Sequence, residues 1–158
     1  MIKAIALDVD GVLTDGGVWW GPEPDSEWKR FCFADIMGVS LARKAGFLVT
    51  LISGEASPLV DRFASKLNLP DITKGCKDKA AALRAFADRN ELKLEEICFM
   101  GDDVNDLGAM ELAGLSAAPA DARLAVRQRV DLVTEARGGN GAVRELIDLL
   151  LERRAANS

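Results

Sequence analysis

The chain contains no histidine, which excludes histidine-based catalytic triads and histidine metal ligands. Its three cysteines, Cys32, Cys76 and Cys98, are odd in number, far apart, and form no Cys-x-x-Cys pair. They supply neither a disulfide framework nor a zinc site, and they suit a reducing compartment. Cys98, inside an apolar run, reads as core. No apolar run approaches the roughly 20 residues that cross a bilayer, so no membrane partner is expected. Residues 1–7 are apolar but stop at Asp8 and Asp10, without the longer stretch and small-residue cleavage site of a signal peptide. The expectation is a cytoplasmic protein that opens on a strand. A net charge of −5 argues against a nucleic-acid partner, because binding a phosphate backbone wants a basic face.

What is present is the balance of a globular domain. With 158 residues, 49% apolar and 28% charged, the chain suffices for one domain, 1–158, with a real core. Short apolar runs at 2–7, 47–52, 97–100, 115–118 and 132–134, with a weaker one near 71–73, read as strands. Helical patterns at 36–45, 58–67, 79–89, 105–113, 122–127 and 142–153 lie between and after them. Continuous apolar strands alternating with amphipathic helices predict an α/β fold: one doubly wound, Rossmann-like parallel sheet covered on both faces. Residues 155–158 read as a loose tail.

One stretch, about 12–33, breaks the alternation. Two strand-like segments, 12–20 and 27–33, flank Gly21-Pro22-Glu23-Pro24-Asp25-Ser26, whose turn residues predict a projecting β-hairpin. All three tryptophans, Trp19, Trp20 and Trp28, fall in this arm. Either they pack on the parent domain, or an exposed aromatic arm marks a subunit interface.

In an open α/β sheet, ligands bind beyond the carboxyl ends of the strands. The residues expected there are Asp8 and Asp10, Ser53-Gly54, and Gly101-Asp102-Asp103, with Lys79 opening a helix. In extended chain, residues i and i+2 lie on one side, about 6.6 Å apart. Asp8 and Asp10 so placed could straddle a phosphorus atom, one attacking and the other protonating the leaving oxygen. Alone, Asp-x-Asp-Gly is also a turn with two solvated acids. It is not a calcium loop, since Val12, Leu13 and Trp19 occupy positions where ligands and a glycine are needed. Adding Asp102 and Asp103 gathers four carboxylates, and a phosphate dianion beside them demands a cation. Hard oxygen ligands around a phosphate describe magnesium. Ser53-Gly54 by itself is a routine helix cap or a phosphate cradle. Lys79 opposes the macrodipole of its helix, which pairing with phosphate and Asp8 would explain; a solvated cluster with Lys74 and Lys77 is the competing reading.

Taken in order, Asp8-x-Asp10-Gly11-Val12-Leu13-Thr14-Asp15, Ser53-Gly54, Lys79 and Gly101-Asp102-Asp103-x-Asn105-Asp106 resemble the haloacid dehalogenase superfamily of phosphatases. The resemblance implies Asp8 as nucleophile and Asp10 as general acid/base, with Ser53 and Lys79 on the phosphoryl group. It implies Mg²⁺ held by the Asp8 and Asp102 carboxylates and the Asp10 carbonyl, with Asp103 or Asp106 supporting the shell. Thr14-Asp15-Gly16, Glu27-Trp28-Lys29-x-Phe31 and the segment Arg137-Gly138-Gly139-x-Gly141-Ala142-Val143-Arg144-Glu145 extend the likeness to the cap-less branch acting on 3-deoxy-2-ulosonate sugar phosphates. That branch implies a homotetramer whose hairpins pack together and whose neighbouring subunits help enclose each site. Only about 25 residues separate Ser53 from Lys79, too few for a cap domain.

The same resemblance bears on the substrate. Octulosonate-8-phosphate phosphatases carry Arg after the Ser/Thr-Gly pair and again eight residues on, where this chain has Glu55 and Phe63. Glu55 followed by Lys66 resembles the nonulosonate-9-phosphate phosphatases of sialic-acid-like sugars, so that substrate is expected over octulosonate 8-phosphate. A carboxylate at 55 would accept hydrogen bonds from sugar hydroxyls. Gly54, Asn105, Arg137 and Arg144 complete the expected substrate contacts, and residues 32–36 line the pocket by resemblance. A phosphorylation-receiver domain fits poorly, because its adjacent acids come early in the chain. A non-catalytic assembly or regulatory module of the same fold is the alternative from another class.

Overall fold

The apolar runs form the inner strands of the computed structural model, which describes residues 1–158. The strands are β1 (Ala4–Leu7), β2 (Trp19–Trp20), β3 (Glu27–Trp28), β4 (Leu48–Ile52), β5 (Ile72–Thr73), β6 (Ile97–Met100), β7 (Leu115–Ala118) and β8 (Leu132–Val133). The helices are α1 (Phe33–Lys44), α2 (Pro58–Lys66), α3 (Lys79–Arg89), α4 (Leu107–Leu112), α5 (Leu124–Arg127) and α6 (Ala142–Ala156). Six strands form one parallel sheet in the order β5-β4-β1-β6-β7-β8, while β2 and β3 make a separate antiparallel pair. No cap domain intervenes.

The pleat of β1 sorts its residues between two cores. Ile5 and Leu7 join Val49, Leu51, Cys98 and Met100 against Val39 and Ala42 of α1, Phe63 of α2 and Leu146 and Ile147 of α6. Ala4 and Ala6 join Ile52, Ile97 and Phe99 against Leu83 and Phe86 of α3 and Met110 of α4. Each fully buried aliphatic or aromatic side chain contributes about 1.5–3 kcal/mol, so covering both faces dominates the fold's stability. No helix is long and apolar enough to cross a membrane.

β1 is flanked by β4 on one side and β6 on the other. Successive connections diverge there, which opens a crevice at the carboxyl ends of these strands.

Three local expectations change. The hairpin of 12–33 is paired over only two residues per strand, plus a Thr14–Phe31 bridge. Residues 9–13 instead coil into a tight turn in which the N–H groups of Val12, Leu13 and Thr14 converge on the Val9 carbonyl. Nor is 155–158 a loose tail, since α6 continues to Ala156. Arg154 holds that last turn by lying 4.3 Å over the Phe47 ring and donating to the Ala45 carbonyl at 2.8 Å. Finally, the helix expected from 105 begins as a 3-10 turn, Val104–Asp106, before α4. Asp103 caps that turn by accepting the Val104 N–H, so the chain is committed to tight geometry there.

Candidate active site

Asp8 follows β1 directly, and its N–H donates to the Met100 carbonyl at 3.0 Å, continuing the sheet one residue further. Its Oδ1 accepts the Val9 N–H at 2.7 Å and the Lys79 ammonium at 2.9 Å. Lys79 also donates to Asp106 Oδ1 at 2.7 Å. The other Asp106 oxygen accepts the N–H groups of Asp102 (2.9 Å) and Asp103 (3.2 Å). Asp106 therefore ties the loop after β6 to the first residue of α3. The cation at that helix start is explained by its two carboxylate partners, while Asp78 supplies the cap by accepting the Ala81 N–H.

Carboxylate oxygens of Asp8, Asp102 and Asp106 lie within 4.8 Å of one another. Burial, then the charge of Asp106, raises the Asp8 carboxyl well above its ordinary range, with Lys79 only partly opposing the shift. Burial and then Asp106 likewise push Asp102 up to about 6. Burial alone would lower Lys79, but Asp8 and Asp106 outweigh it and hold the ammonium above its usual value. Three acids sharing one lysine leave an excess of negative charge in a low-dielectric site, which suits a divalent cation. The backbone keeps room beside it. Gly11 has φ +83°, and a Cβ there would meet Asp102 Oδ2 at 1.9 Å.

Of the two residues expected as alternatives to support the shell, Asp106 lies in the carboxylate cluster. Asp103 also lines the cavity, but its carboxylate turns to the Val104 N–H and toward Arg123 Nε (3.6 Å). Both Asp106 oxygens are already engaged, which makes it a support for Lys79 and the loop. The Asp10 carboxylate also stands apart, 2.8 Å from the ammonium of Lys29. Its backbone carbonyl accepts no hydrogen bond, leaving that oxygen for a cation. The extended spacing expected between Asp8 and Asp10 is replaced by the entry into the 9–13 turn, yet both acids line one cavity.

That cavity, about 390 Å³, is bounded by Asp8, Asp10, Asp102 and Lys79 at its base and by Gly54, Glu55 and Asn105 on one flank. Ser53 is fully buried at the end of β4, with its Oγ accepting the Glu55 N–H at 3.2 Å. Three expected substrate contacts lie elsewhere. Lys66 ends α2, about 13 Å along a nine-residue helix from the Glu55 side. Arg137 faces Asp121 at 3.6 Å in a separate depression, and Arg144 donates to Asp148 at 2.9 Å on the outer side of α6. The Arg137-Gly138-Gly139 run works through its backbone, for a Cβ on Gly138 would meet the Gly11 carbonyl oxygen at 1.9 Å. Residues 32–36 do not line the cavity either. Cys32 precedes α1, and Asp35 points to the start of α6, where its Oδ1 accepts the Arg144 N–H at 2.9 Å.

Sequence reasoning missed six wall residues: Gly16, Val18, Trp20, Glu27 and Lys29 from the arm, and Arg123 before α5. The Glu27-Trp28-Lys29 run was visible, but nothing local says that a projecting arm turns its lysine inward. Arg123 carried no signal at all.

Comparison with known proteins agrees with this geometry. Residues 38–146 match the haloacid dehalogenase-like hydrolase family. The 3-deoxy-D-manno-octulosonate 8-phosphate phosphatase of Escherichia coli strain K12 is 37% identical over 142 residues, which is 90% of this chain and 75% of that protein. The corresponding enzyme of Moraxella catarrhalis, solved with magnesium, phosphate and a KDO molecule, superposes with a TM-score of 0.92 at 35% identity, covering 96% of this chain and 86% of that one. The cobalt-bound Haemophilus influenzae phosphatase gives 0.94 at 33% identity, covering 98% and 90%. These relatives overturn the preference for nonulosonate 9-phosphate drawn from Glu55 and Lys66, since each is an octulosonate 8-phosphate phosphatase. In the structure Glu55 lines the cavity, while Lys66, the last residue of α2, is not part of its wall, so the two do not form the joint sugar contact on which that preference rested.

Proposed function

The chain belongs to the haloacid dehalogenase-like hydrolases, and on that footing we propose that it is a magnesium-dependent phosphatase of 3-deoxy-D-manno-octulosonate 8-phosphate. The observation that carries this reading is the buried Lys79 ammonium between Asp8 and Asp106 at the base of a polar cavity.

Asp8 acts as the nucleophile. Its carboxylate oxygen forms a bond to phosphorus while the bond from phosphorus to the sugar oxygen breaks. The departing electron pair stays on that oxygen, which takes a proton from Asp10. Water then attacks phosphorus, gives its proton to Asp10, and releases Asp8 and inorganic phosphate. Lys79 faces the negative charge of Asp8 and of the phosphoryl oxygens throughout, and Ser53 and Gly54 bind those oxygens at the end of β4. The Asp8 and Asp102 carboxylates and the Asp10 carbonyl would hold magnesium, which when bound offsets the charge of carboxylates and phosphate. Glu55 and Asn105, on the cavity wall, meet sugar hydroxyls.

The assembly belongs to the same reading. Trp19, Trp20 and Trp28 remain 72%, 77% and 58% exposed in the single chain, more aromatic surface than a lone subunit keeps without use. We place them in the interface of a homotetramer, and we place the enzyme, with its three unpaired cysteines, in the cytoplasm.

The test is phosphate release from octulosonate 8-phosphate, with and without EDTA, by the wild type and Asp8→Asn. The expected result is metal-dependent turnover absent from the variant. Turnover retained by a folded Asp8→Asn protein sinks the nucleophile assignment. Faster turnover of other sugar phosphates sinks the substrate. A monomer by light scattering at micromolar concentration removes the tetramer.

A further inference from the structure

The hairpin leaves Trp19 and Trp28 off the cavity, while Trp20, Glu27 and Lys29 line it. The Lys29 side chain is only 3% exposed, and an ammonium taken out of water costs several kcal/mol unless a partner compensates. Its hydrogen-bonding partner is Asp10 Oδ1 at 2.8 Å; Glu27 lies 3.9 Å away, outside hydrogen-bonding reach. Glu27 is committed elsewhere, since its Oε2 accepts the Ser57 hydroxyl at 2.7 Å and its Oε1 accepts the Trp20 indole N–H at 3.2 Å. Ser57 is itself fixed as the cap of α2, accepting the Leu59 N–H. On the other side of Lys29, Arg30 donates to the Gly139 carbonyl at 2.9 Å. The arm is thus pinned to the domain on both flanks of Lys29.

Asp10 has no other side-chain partner. It lies in the 9–13 turn with its side chain 34% exposed, free to sample rotamers if left alone.

We propose that Lys29 is the positioning residue for Asp10. It holds Oδ1 and leaves Oδ2 for the proton exchanged with the leaving oxygen. This rests on the proton-transfer role of Asp10 proposed above. The energetic logic is geometric: a general acid works within about 2.6–3.2 Å of its target, and a misplacement of about 1 Å costs on the order of a hundredfold. The hairpin therefore acts on the chemistry directly, besides presenting aromatic surface.

The experiment compares kcat/KM for phenyl phosphate and p-nitrophenyl phosphate, probes that lack a sugar and differ in how much their leaving oxygen needs a proton. Wild-type turnover of both, lost in Asp8→Asn, reads the phosphatase function itself. The Lys29 variants read the proposal. Lys29→Met is expected to lose at least tenfold more on phenyl phosphate than on p-nitrophenyl phosphate, and Lys29→Arg to recover most of that ratio. Lys29→Gln replaces the methionine variant if the latter does not fold, with the same direction expected. Equal losses on both probes, the outcome of a purely structural or phosphate-binding role, overturn the proposal.

Discussion

The Lys79 ammonium lies 2.9 Å from the carboxylate of Asp8, and their side chains are only 2% and 7% exposed. A lysine so buried keeps its charge because Asp106 adds a second carboxylate at 2.7 Å. In the proposed mechanism the pair serves the nucleophile, and it also makes the crevice dependent on one cation.

Removing that cation leaves two buried carboxylates uncompensated. Lys79→Met should therefore lower stability by about 3 kcal/mol near neutral pH, as well as abolish turnover. The deficit should shrink in acid, where the carboxyls protonate. Urea unfolding of wild type and variant at two pH values checks both parts. In the wild type, Lys79 sits above its ordinary 10.5. Its pairing therefore stabilises fully below that value and is lost as the pH rises through its folded-state titration.

The metal-free enzyme should lose stability as the pH rises from about 4 to about 7. Burial and the charge of Asp106 push Asp102 up to about 6 in the folded chain, against an ordinary 3.8, and Asp8 is raised too. Between the two values the folded chain holds protons that the unfolded chain has released, so raising the pH favours unfolding. Asp102 alone accounts for up to about 3 kcal/mol. Magnesium binds the deprotonated carboxylates, so its effect should be small at pH 5 and grow above about 6. Thermal melts with EDTA or magnesium across this range read the outcome, and a magnesium-induced rise in Tm that is independent of pH would contradict it.

Gly11→Ala should uncouple the metal site without removing any ligand. Its φ of +83° strains any side chain, and a Cβ would overlap Asp102 Oδ2. Asp102 must move, so turnover at low magnesium should fall at least about tenfold, with partial rescue at high magnesium. A titration of rate against magnesium concentration shows this as a raised half-saturation point.

Asp35→Ala should destabilise the fold without touching the chemistry. Asp35 is fully buried on α1 and reaches across to the first turn of α6, whose own flanking residue, Gly141, offers no side-chain cap. Losing this contact should cost about 1–2 kcal/mol. Burial raises the Asp35 carboxyl, and the N–H groups at the start of α6 only partly offset this. The loss should therefore be larger at pH 5 than at pH 8. Denaturant midpoints at the two pH values, with kcat per folded molecule unchanged, are the expected result.

How much of this was legible beforehand can be traced through individual residues. The unbroken apolar runs 2–7 and 97–100 and the helical patterns around them specify a parallel sheet covered on both faces, because a strand buried on both sides has no polar positions to show. The order Asp8, Ser53, Lys79, Asp102 specifies the crevice, since each follows a strand or opens a helix and a parallel sheet brings those ends to one edge. The absence of histidine and the crowd of acids specify a hard cation. Tertiary structure decided the rest. Between Asp103 and Asp106, Asp106 joins the carboxylate cluster while Asp103 caps a 3-10 turn that is invisible to hydrophobic periodicity. Lys66, Arg137 and Arg144 leave the site because sequence spacing cannot say which side of a helix or loop faces the cavity. Lys29 enters it because Glu27, Ser57 and Arg30 pin the arm through contacts up to 109 residues apart. Local patterns record burial and chain direction; where a charged side chain ends depends on partners that only the folded chain brings within reach.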